Sequence, residues 1–180
     1  MRHARTRLLP VDEHGARATL RFTTTVFRTR EIEIVAQYAE QRRLRVDVNG
    51  NLLSVDIDFN DYWVWKAMQV ARPRVVSIEY NASLRPPLSL VVPYNPDSIW
   101  TGGNYFGASL EALVRLGTLK GYRLVGCCFA GVNAFFVRDD LCEDLFFEPA
   151  TAEEHYEPAR YFASVFPAGH SGRPGPYIKV

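Results

Sequence analysis

The sequence predicts an α/β domain whose mostly parallel sheet ends in an antiparallel β-hairpin. Short apolar runs, such as residues 52–58 and 74–81, alternate with segments whose apolar residues recur at helical spacing. This alternation favours parallel strands joined by helical crossovers. Near the end, the β-rich runs 122–129 and 133–141 are separated by a tight connection around Gly131, which predicts the hairpin.

The composition is that of an ordinary globular chain of 180 residues, with 47% hydrophobic and 23% charged content. A net charge of +1 with interleaved signs gives no electrostatic footprint for nucleic acid or an anionic membrane, so we expect neither as a partner. No apolar run reaches the ~18 residues of a spanning helix. The three cysteines, Cys127, Cys128 and Cys142, do not form the pattern of a disulfide framework, which favours a cytoplasmic location.

The first half of the chain predicts two strands, each followed by a helix. Residues 17–26 are rich in Thr, Phe and Val and predict a strand, and residues 29–43 carry apolar residues at helical spacing. Residues 52–58 predict a buried strand that ends in acids. A helix is predicted over residues 61–71, with Asn60 or Asp61 as its N-cap and its end before Pro73.

The second half predicts a strand, a long loop, a helix and the hairpin. Residues 74–81 predict a buried strand, and the Pro- and Gly-containing residues 82–104 predict a loop over the surface of the domain. Helical spacing resumes over residues 106–122, with Ser109 near the start and Gly121 placed to end the helix. We therefore predict a flexible arm (1–16), an α/β domain (17–147) and a tail (148–180) that packs on the body or on a partner.

Four blocks of the sequence resemble FkbM-type proteins of the class I S-adenosylmethionine-dependent methyltransferase-like family. They are LLSVDIDFNDYWVW (52–65), VVSIEYNA (75–82), FGASLEALVRLGTLKGYRLVGC (106–127) and GVNAFFVRDDL (131–141). The resemblance implies a truncated Rossmann-like fold that corresponds to the C-terminal half of such an enzyme. The family binds S-adenosylmethionine on a glycine-rich turn and an acid that have no counterpart here. We therefore do not expect the isolated chain to bind this cofactor.

Acidic side chains cluster where two predicted parallel strands end. Asp56 and Asp58 end one strand, Glu79 and Asn81 end the next, and Asp61 begins the following helix. Ligands of open α/β sheets bind beyond the carboxyl ends of parallel strands, which lie ~4.8 Å apart. We predict Asp56, Asp58, Asp61 and Glu79 as catalytic residues, and Asp56, Glu79 and Asn81 as ligands of Mg²⁺ or another divalent metal. Without a metal, the cluster predicts a general base.

The metal prediction is supported by a second resemblance. Metal-dependent catechol-type O-methyltransferases hold a divalent ion with an acid after one strand and an Asp-Asn pair after the next, and the second element here is Glu-Tyr-Asn. The structural alternatives are a helix cap for Asn60 or Asp61, and solvated strand ends for Asp56 and Asp58.

Substrate contacts are predicted from the rim of the strands and from the long loop. The candidate substrate-binding residues are Asn60, Tyr94, Trp100 and Tyr105. Aromatic side chains on such a segment can close over a small substrate. The alternative is that they cover the sheet as ordinary packing.

Three functions remain open at this point. The first is a small-molecule enzyme, in specialised metabolism, that uses the carboxylate cluster as a metal site or base. The second is a non-catalytic or half-site subunit whose partner carries the half that binds S-adenosylmethionine. The third is a ligand-binding module without chemistry. Because residues 52–58 lack a partner strand along one side, and lack the residues that blunt a sheet edge, we predict a homodimer or an obligate heteromer.

Overall fold

The computed structural model describes residues 44–46, 51–68, 72–161 and 169–180. The predicted strand over residues 17–26, the helix over residues 29–43 and the arm 1–16 lie outside these ranges. Within them, the chain is a mixed α/β fold, as the sequence predicts. None of the described helices is long and apolar enough to cross a membrane.

The described elements are short strands and three helices. The strands are β1 (Leu44–Val46), β2 (Leu52–Val55), β3 (Val75–Glu79), β4 (Leu90–Val91), β5 (Tyr122–Cys127), β6 (Asn133–Arg138) and β7 (Ile178–Lys179). The helices are α1 (Asp61–Ala67), α2 (Leu110–Lys120) and α3 (Ala152–His155), and a 3-10 turn covers Asp139–Leu141.

The main sheet has the strand order β1-β2-β3-β6-β5 and is mixed. Strands β2 and β3 are parallel, whereas β1 with β2, β3 with β6, and β6 with β5 are antiparallel. The predicted hairpin is confirmed as β5 and β6. The sheet is not mostly parallel among the described strands, because β6 inserts between β3 and β5 and pairs antiparallel with both.

Strand β1 covers the side of β2 that the sequence leaves open. Leu44 lies opposite Val55, and Val46 lies opposite Leu53. The sequence argument for an unpaired edge along residues 52–58 is therefore wrong. The argument failed because β1 has only three residues, and so short a strand has no recognisable pattern in the sequence.

Helix α2 begins and ends as its sequence predicts. The Ser109 hydroxyl accepts a hydrogen bond from the Ala112 amide at 3.2 Å, which satisfies a free donor of the first turn. Gly121 follows the helix with a φ of 77°, the left-handed conformation that ends many helices. Helix α1 has Asn60 at its N-cap position, but the Asn60 side chain makes no capping bond and binds the long loop instead.

The core lies between the sheet and the two longer helices. Trp65 of α1 is 1% exposed, and its ring centroid lies 5.0 Å from that of Phe136 and 5.9 Å from that of Tyr122. A Cβ atom at Gly117 would lie 2.9 Å from the Phe136 ring, so this glycine lets α2 approach the sheet closely. Each large side chain buried in this way stabilises the fold by roughly 1.5–3 kcal/mol.

The segment 82–104 is more than a surface loop. It contains strand β4, which pairs with β7 near the end of the chain, and Val91 and Val92 are fully buried. The Val180 amide also donates to the Ser89 carbonyl oxygen at 3.2 Å. The last described residues therefore lie against this segment, which bears on the site described next.

Candidate functional site

Three carboxylates meet at the carboxyl ends of β2 and β3. Asp56 and Asp58 follow β2, and Glu79 is the last residue of β3. The two strands are parallel, with Val55 opposite Ile78, so both end at the same edge of the sheet. One carboxylate oxygen from each of the three residues lies within 4.8 Å of the others. The structure therefore brings Asp56, Asp58 and Glu79 together.

The turn that carries two of these acids is stabilised by Asp61. The fully buried Asp61 carboxylate accepts a hydrogen bond from the Ile57 amide at 3.0 Å through Oδ1. Asp58 has a φ of 65°, a left-handed conformation that aspartate tolerates better than most residues. At least one Asp61 oxygen thus supports the backbone of the turn rather than facing a substrate.

The two buried amides, Asn60 and Asn81, hold the long loop. Nδ2 of Asn60 donates to the Asn95 carbonyl oxygen at 2.8 Å, and its Oδ1 accepts from the Asn95 amide at 3.3 Å. Nδ2 of Asn81 donates to the carbonyl oxygens of Asn104 (2.7 Å) and Phe106 (2.9 Å). Its Oδ1 accepts from the Ser83 amide at 3.0 Å. These contacts fix where the loop runs beside the carboxylates.

A cavity of about 260 Å³ opens beside the carboxylate cluster. Two acids, four aromatic residues, a histidine and the hairpin turn between β5 and β6 line it. The lining residues are Asp58, Glu79, Tyr80, Trp100, Phe106, Gly131, Val132, Tyr161 and His170. They come from the ends of β2 and β3, the long loop and its continuation to Phe106, the hairpin turn, Tyr161 and His170, so the cavity forms only when these parts of the chain lie together.

The predicted substrate-binding residues lie in different places. Trp100 lines the cavity, and its indole nitrogen donates to the Gly103 carbonyl oxygen at 2.8 Å. Tyr94 is exposed and packs edge-on against Trp63. Tyr105 packs against Phe59 and donates to the Pro176 carbonyl oxygen at 2.8 Å. Among the four candidates, Trp100 is the one that lines the cavity; Asn60, Tyr94 and Tyr105 do not.

Sequence reasoning did not single out His170 as a site residue. The His170 ring centroid lies 4.7 Å from those of Trp100 and Tyr161, and 5.9 Å from that of Phe106. A β-bridge between Gly103 and Ser171 places the histidine there. The aromatic composition of residues 155–180 was the available signal, but no spacing rule links His170 to Trp100 across about 70 residues.

Burial shifts the ionisation of several groups at and near the cavity. It lowers the pKa of His170, which favours the neutral imidazole. It raises the pKa of Tyr161, and the negative charge of Glu79 raises it further. It also raises the pKa of Tyr80, whose hydroxyl donates to the Glu157 carbonyl oxygen at 2.6 Å. The neighbouring Cys127 thiol has its pKa raised by burial to about 12.

The cluster of carboxylates beside an aromatic cavity can do two kinds of chemistry. Carboxylate oxygens are the ligands that hard divalent cations prefer. A carboxylate on a cavity wall can also take a proton from a bound molecule. No protein-family model, no curated protein and no solved structure matches this chain. Its function has to be inferred from the geometry of the site.

Proposed function

We propose that this chain is an enzyme that acts on a small molecule in the cavity beside Asp56, Asp58 and Glu79. One observation carries the proposal. Asp58 and Glu79 line a cavity of about 260 Å³, and an oxygen of Asp56 lies within 4.8 Å of theirs. Reactive side chains at the wall of a concave, mostly apolar site are what a small-molecule enzyme requires.

A divalent cation is the first role proposed for the three carboxylates. Ligand oxygens on opposite sides of Ca²⁺ are up to about 5 Å apart, because each lies 2.3–2.6 Å from the ion. The 4.8 Å limit on the three oxygens fits that span. Mg²⁺, with shorter bonds of about 2.1 Å, would need the three oxygens within about 4.2 Å of one another. When bound, such an ion would polarise a substrate oxygen or activate a water molecule.

The sequence predicts Asn81 as a metal ligand, but its side-chain amide already makes hydrogen bonds to the backbone. Both hydrogen bonds donated by its Nδ2 hold the loop, and its Oδ1 faces the Ser83 amide. To bind a metal through Oδ1, the side chain would have to share or give up the Ser83 contact. We therefore propose Asp56, Asp58 and Glu79 as the ligands, with Asn81 as a residue that positions the loop.

A general base is the second role for the same carboxylates. Asp58 and Glu79 line the cavity directly, so either carboxylate can meet a proton of a bound substrate. Tyr161 lies close enough to Glu79 for the glutamate charge to raise the tyrosine pKa. Tyr161 therefore remains a protonated phenol at the same wall near neutral pH.

We also propose that the fold is the C-terminal half of a methyltransferase-like, Rossmann-like domain. The parallel pair β2–β3 and the order of helix α2, strand β5 and antiparallel strand β6 support this proposal. A cavity of about 260 Å³ lies below the ~300–1,000 Å³ of sites that enclose drug-sized ligands. We therefore expect calorimetry to show no binding of S-adenosylmethionine to the isolated chain.

Thermal unfolding with divalent metals tests the proposed function. A metal at about 100 times its Kd stabilises the folded state by about 2.7 kcal/mol, which raises the Tm of a chain of this size by about 5–10 °C. We expect Mg²⁺, Mn²⁺ or Ca²⁺ to produce such a rise, and the variant D56N/E79Q to lose it. The matched control is D144N/E153Q, which makes the same two changes at exposed acids and keeps the rise.

The melting experiment distinguishes a metal site from a general base as the role of the carboxylates. An unchanged melting curve with all three ions contradicts the metal site and leaves the general base. A rise that persists in D56N/E79Q places the metal elsewhere and contradicts the proposed ligands.

A further inference from the structure

We propose that the cavity binds a small organic cation, such as a primary or quaternary ammonium compound. This proposal names the class of ligand for the proposed function. It rests on that function in one respect, because both require a small molecule to bind in the cavity. The proposal follows from the combination of aromatic and acidic walls.

The aromatic part of the cavity is an array of rings around His170. Its ring centroid lies 4.7 Å from those of Trp100 and Tyr161, and the Phe106 ring is 5.9 Å away. Tyr80 is also among the residues that line the cavity. Aromatic faces attract a cation that lies within about 6 Å of the ring centre, and sites lined by several aromatic rings recognise quaternary ammonium groups. The lowered pKa of His170 keeps the imidazole from adding a competing positive charge near neutral pH.

The acidic part of the cavity would attract the positive charge of the proposed ligand as well. Asp58 and Glu79 are both half-buried in its wall, where an ion pair is screened less than at the surface. None of the described residues that line the cavity is a lysine or an arginine.

The size of the cavity limits the ligand. A volume of about 260 Å³ is slightly below that of pockets for drug-sized molecules, so a compact amine fits and a nucleotide cofactor does not. The apolar rings favour alkyl groups next to the charge. These features together point to an alkylammonium compound rather than an anion or a neutral sugar.

Choline and its neutral isostere 3,3-dimethyl-1-butanol provide a direct test, because they differ in charge and hardly in shape. Titration calorimetry of the full chain should show choline binding at least about tenfold more tightly than the alcohol. Glu79→Gln removes one acid, and Trp100→Leu removes one ring. Each should reduce the ratio of the two affinities, and Tyr94→Leu should leave it unchanged. Tyr94 is a matched control because it is 38% exposed, Trp100 is 37% exposed, and Tyr94 lies outside the cavity.

Three results would overturn the inference: equal affinity for the two compounds, no choline binding up to about 10 mM, or a ratio that the two cavity variants leave unchanged. Melting curves of the variants establish that they fold, and Asp58→Asn replaces Glu79→Gln if that variant does not. Choline binding without any metal-induced rise in Tm contradicts the metal site alone. A metal-induced rise without choline binding contradicts this inference alone.

Discussion

The substitution Asn81→Asp distinguishes a residue that positions the loop from a metal ligand. In the structure, Nδ2 of this fully buried side chain donates to the carbonyl oxygens of Asn104 and Phe106 at 2.7 and 2.9 Å. Aspartate has no donor at that position, so a carboxylate oxygen would face two carbonyl oxygens. Each acceptor left unsatisfied in a buried site costs about 1–3 kcal/mol.

We therefore expect Asn81→Asp to lower the free energy of unfolding by about 2–6 kcal/mol. For a chain of this size, this corresponds to a fall in Tm of about 5–20 °C, measured by circular dichroism. The matched control is Asn95→Asp, because the exposed Asn95 side chain accepts a hydrogen bond from the Asp97 amide, and aspartate can still accept it. We expect that control to change stability by less than about 0.5 kcal/mol.

The metal-ligand interpretation of Asn81 predicts the opposite result. A carboxylate in place of the amide would add charge to the ligand set and strengthen binding of Ca²⁺ or Mg²⁺. The reasoning from the structure is refuted if Asn81→Asp is as stable as the natural chain, or if its Tm rises further with metal than that of the natural chain does.

Three further predictions concern ionisation, thiol reactivity and assembly. Because the folded pKa of His170 lies below its ordinary value of 6.5, its contribution to stability is fully present above pH 6.5 and is lost as the pH falls through the folded pKa. Thermal melts between about pH 7.5 and 5.5 should therefore show a loss of stability that His170→Gln reduces; equal losses in both chains would contradict this. With the Cys127 pKa raised to about 12, iodoacetamide should label this thiol at least about a hundredfold more slowly in the folded chain than in the urea-unfolded chain, as followed by peptide mass spectrometry, and similar rates would contradict the burial argument. The predicted homodimer or obligate heteromer no longer rests on an open edge of β2, because β1 covers that edge; light scattering of the purified chain tests the homodimer, and a monodisperse monomer at micromolar concentration would exclude it.

The carboxylate cluster could be predicted from the sequence because it depends on a simple rule of sheet geometry. Two consecutive apolar runs ending in acids predict two parallel strands with those acids at one edge. The structure places Asp56, Asp58 and Glu79 together for this reason. The ends of α2 were predictable for a similarly local reason, since Ser109 and Gly121 act within one turn of the helix.

The roles of the buried amides could not be predicted with the same rule. Asn60 and Asn81 stand at the same rim as the acids, and their residue type suits either a ligand or a hydrogen-bonding contact to the backbone. Which of these two roles each amide takes depends on the path of the long loop. The carbonyl oxygens of Asn95, Asn104 and Phe106 accept the hydrogen bonds that the two side-chain amides donate. That path is set by contacts between residues far apart in the chain, which a local pattern does not encode.

The aromatic wall shows how such distant contacts create the site. Trp100 belongs to the long loop and His170 to the last described segment, and the bridge between Gly103 and Ser171 brings them together. The Asn104 side chain accepts a hydrogen bond from the Arg173 amide at 2.7 Å, and a Cβ atom at Gly175 would overlap the Tyr105 ring. These contacts hold the loop and the segment to each other beside the carboxylates. The acids come from the sheet edge, which the sequence predicts, whereas the rings that would select a ligand come from segments whose positions depend on tertiary contacts. Changes to the contacts around Asn104 and Gly175 should therefore weaken ligand binding while leaving the carboxylate cluster in place.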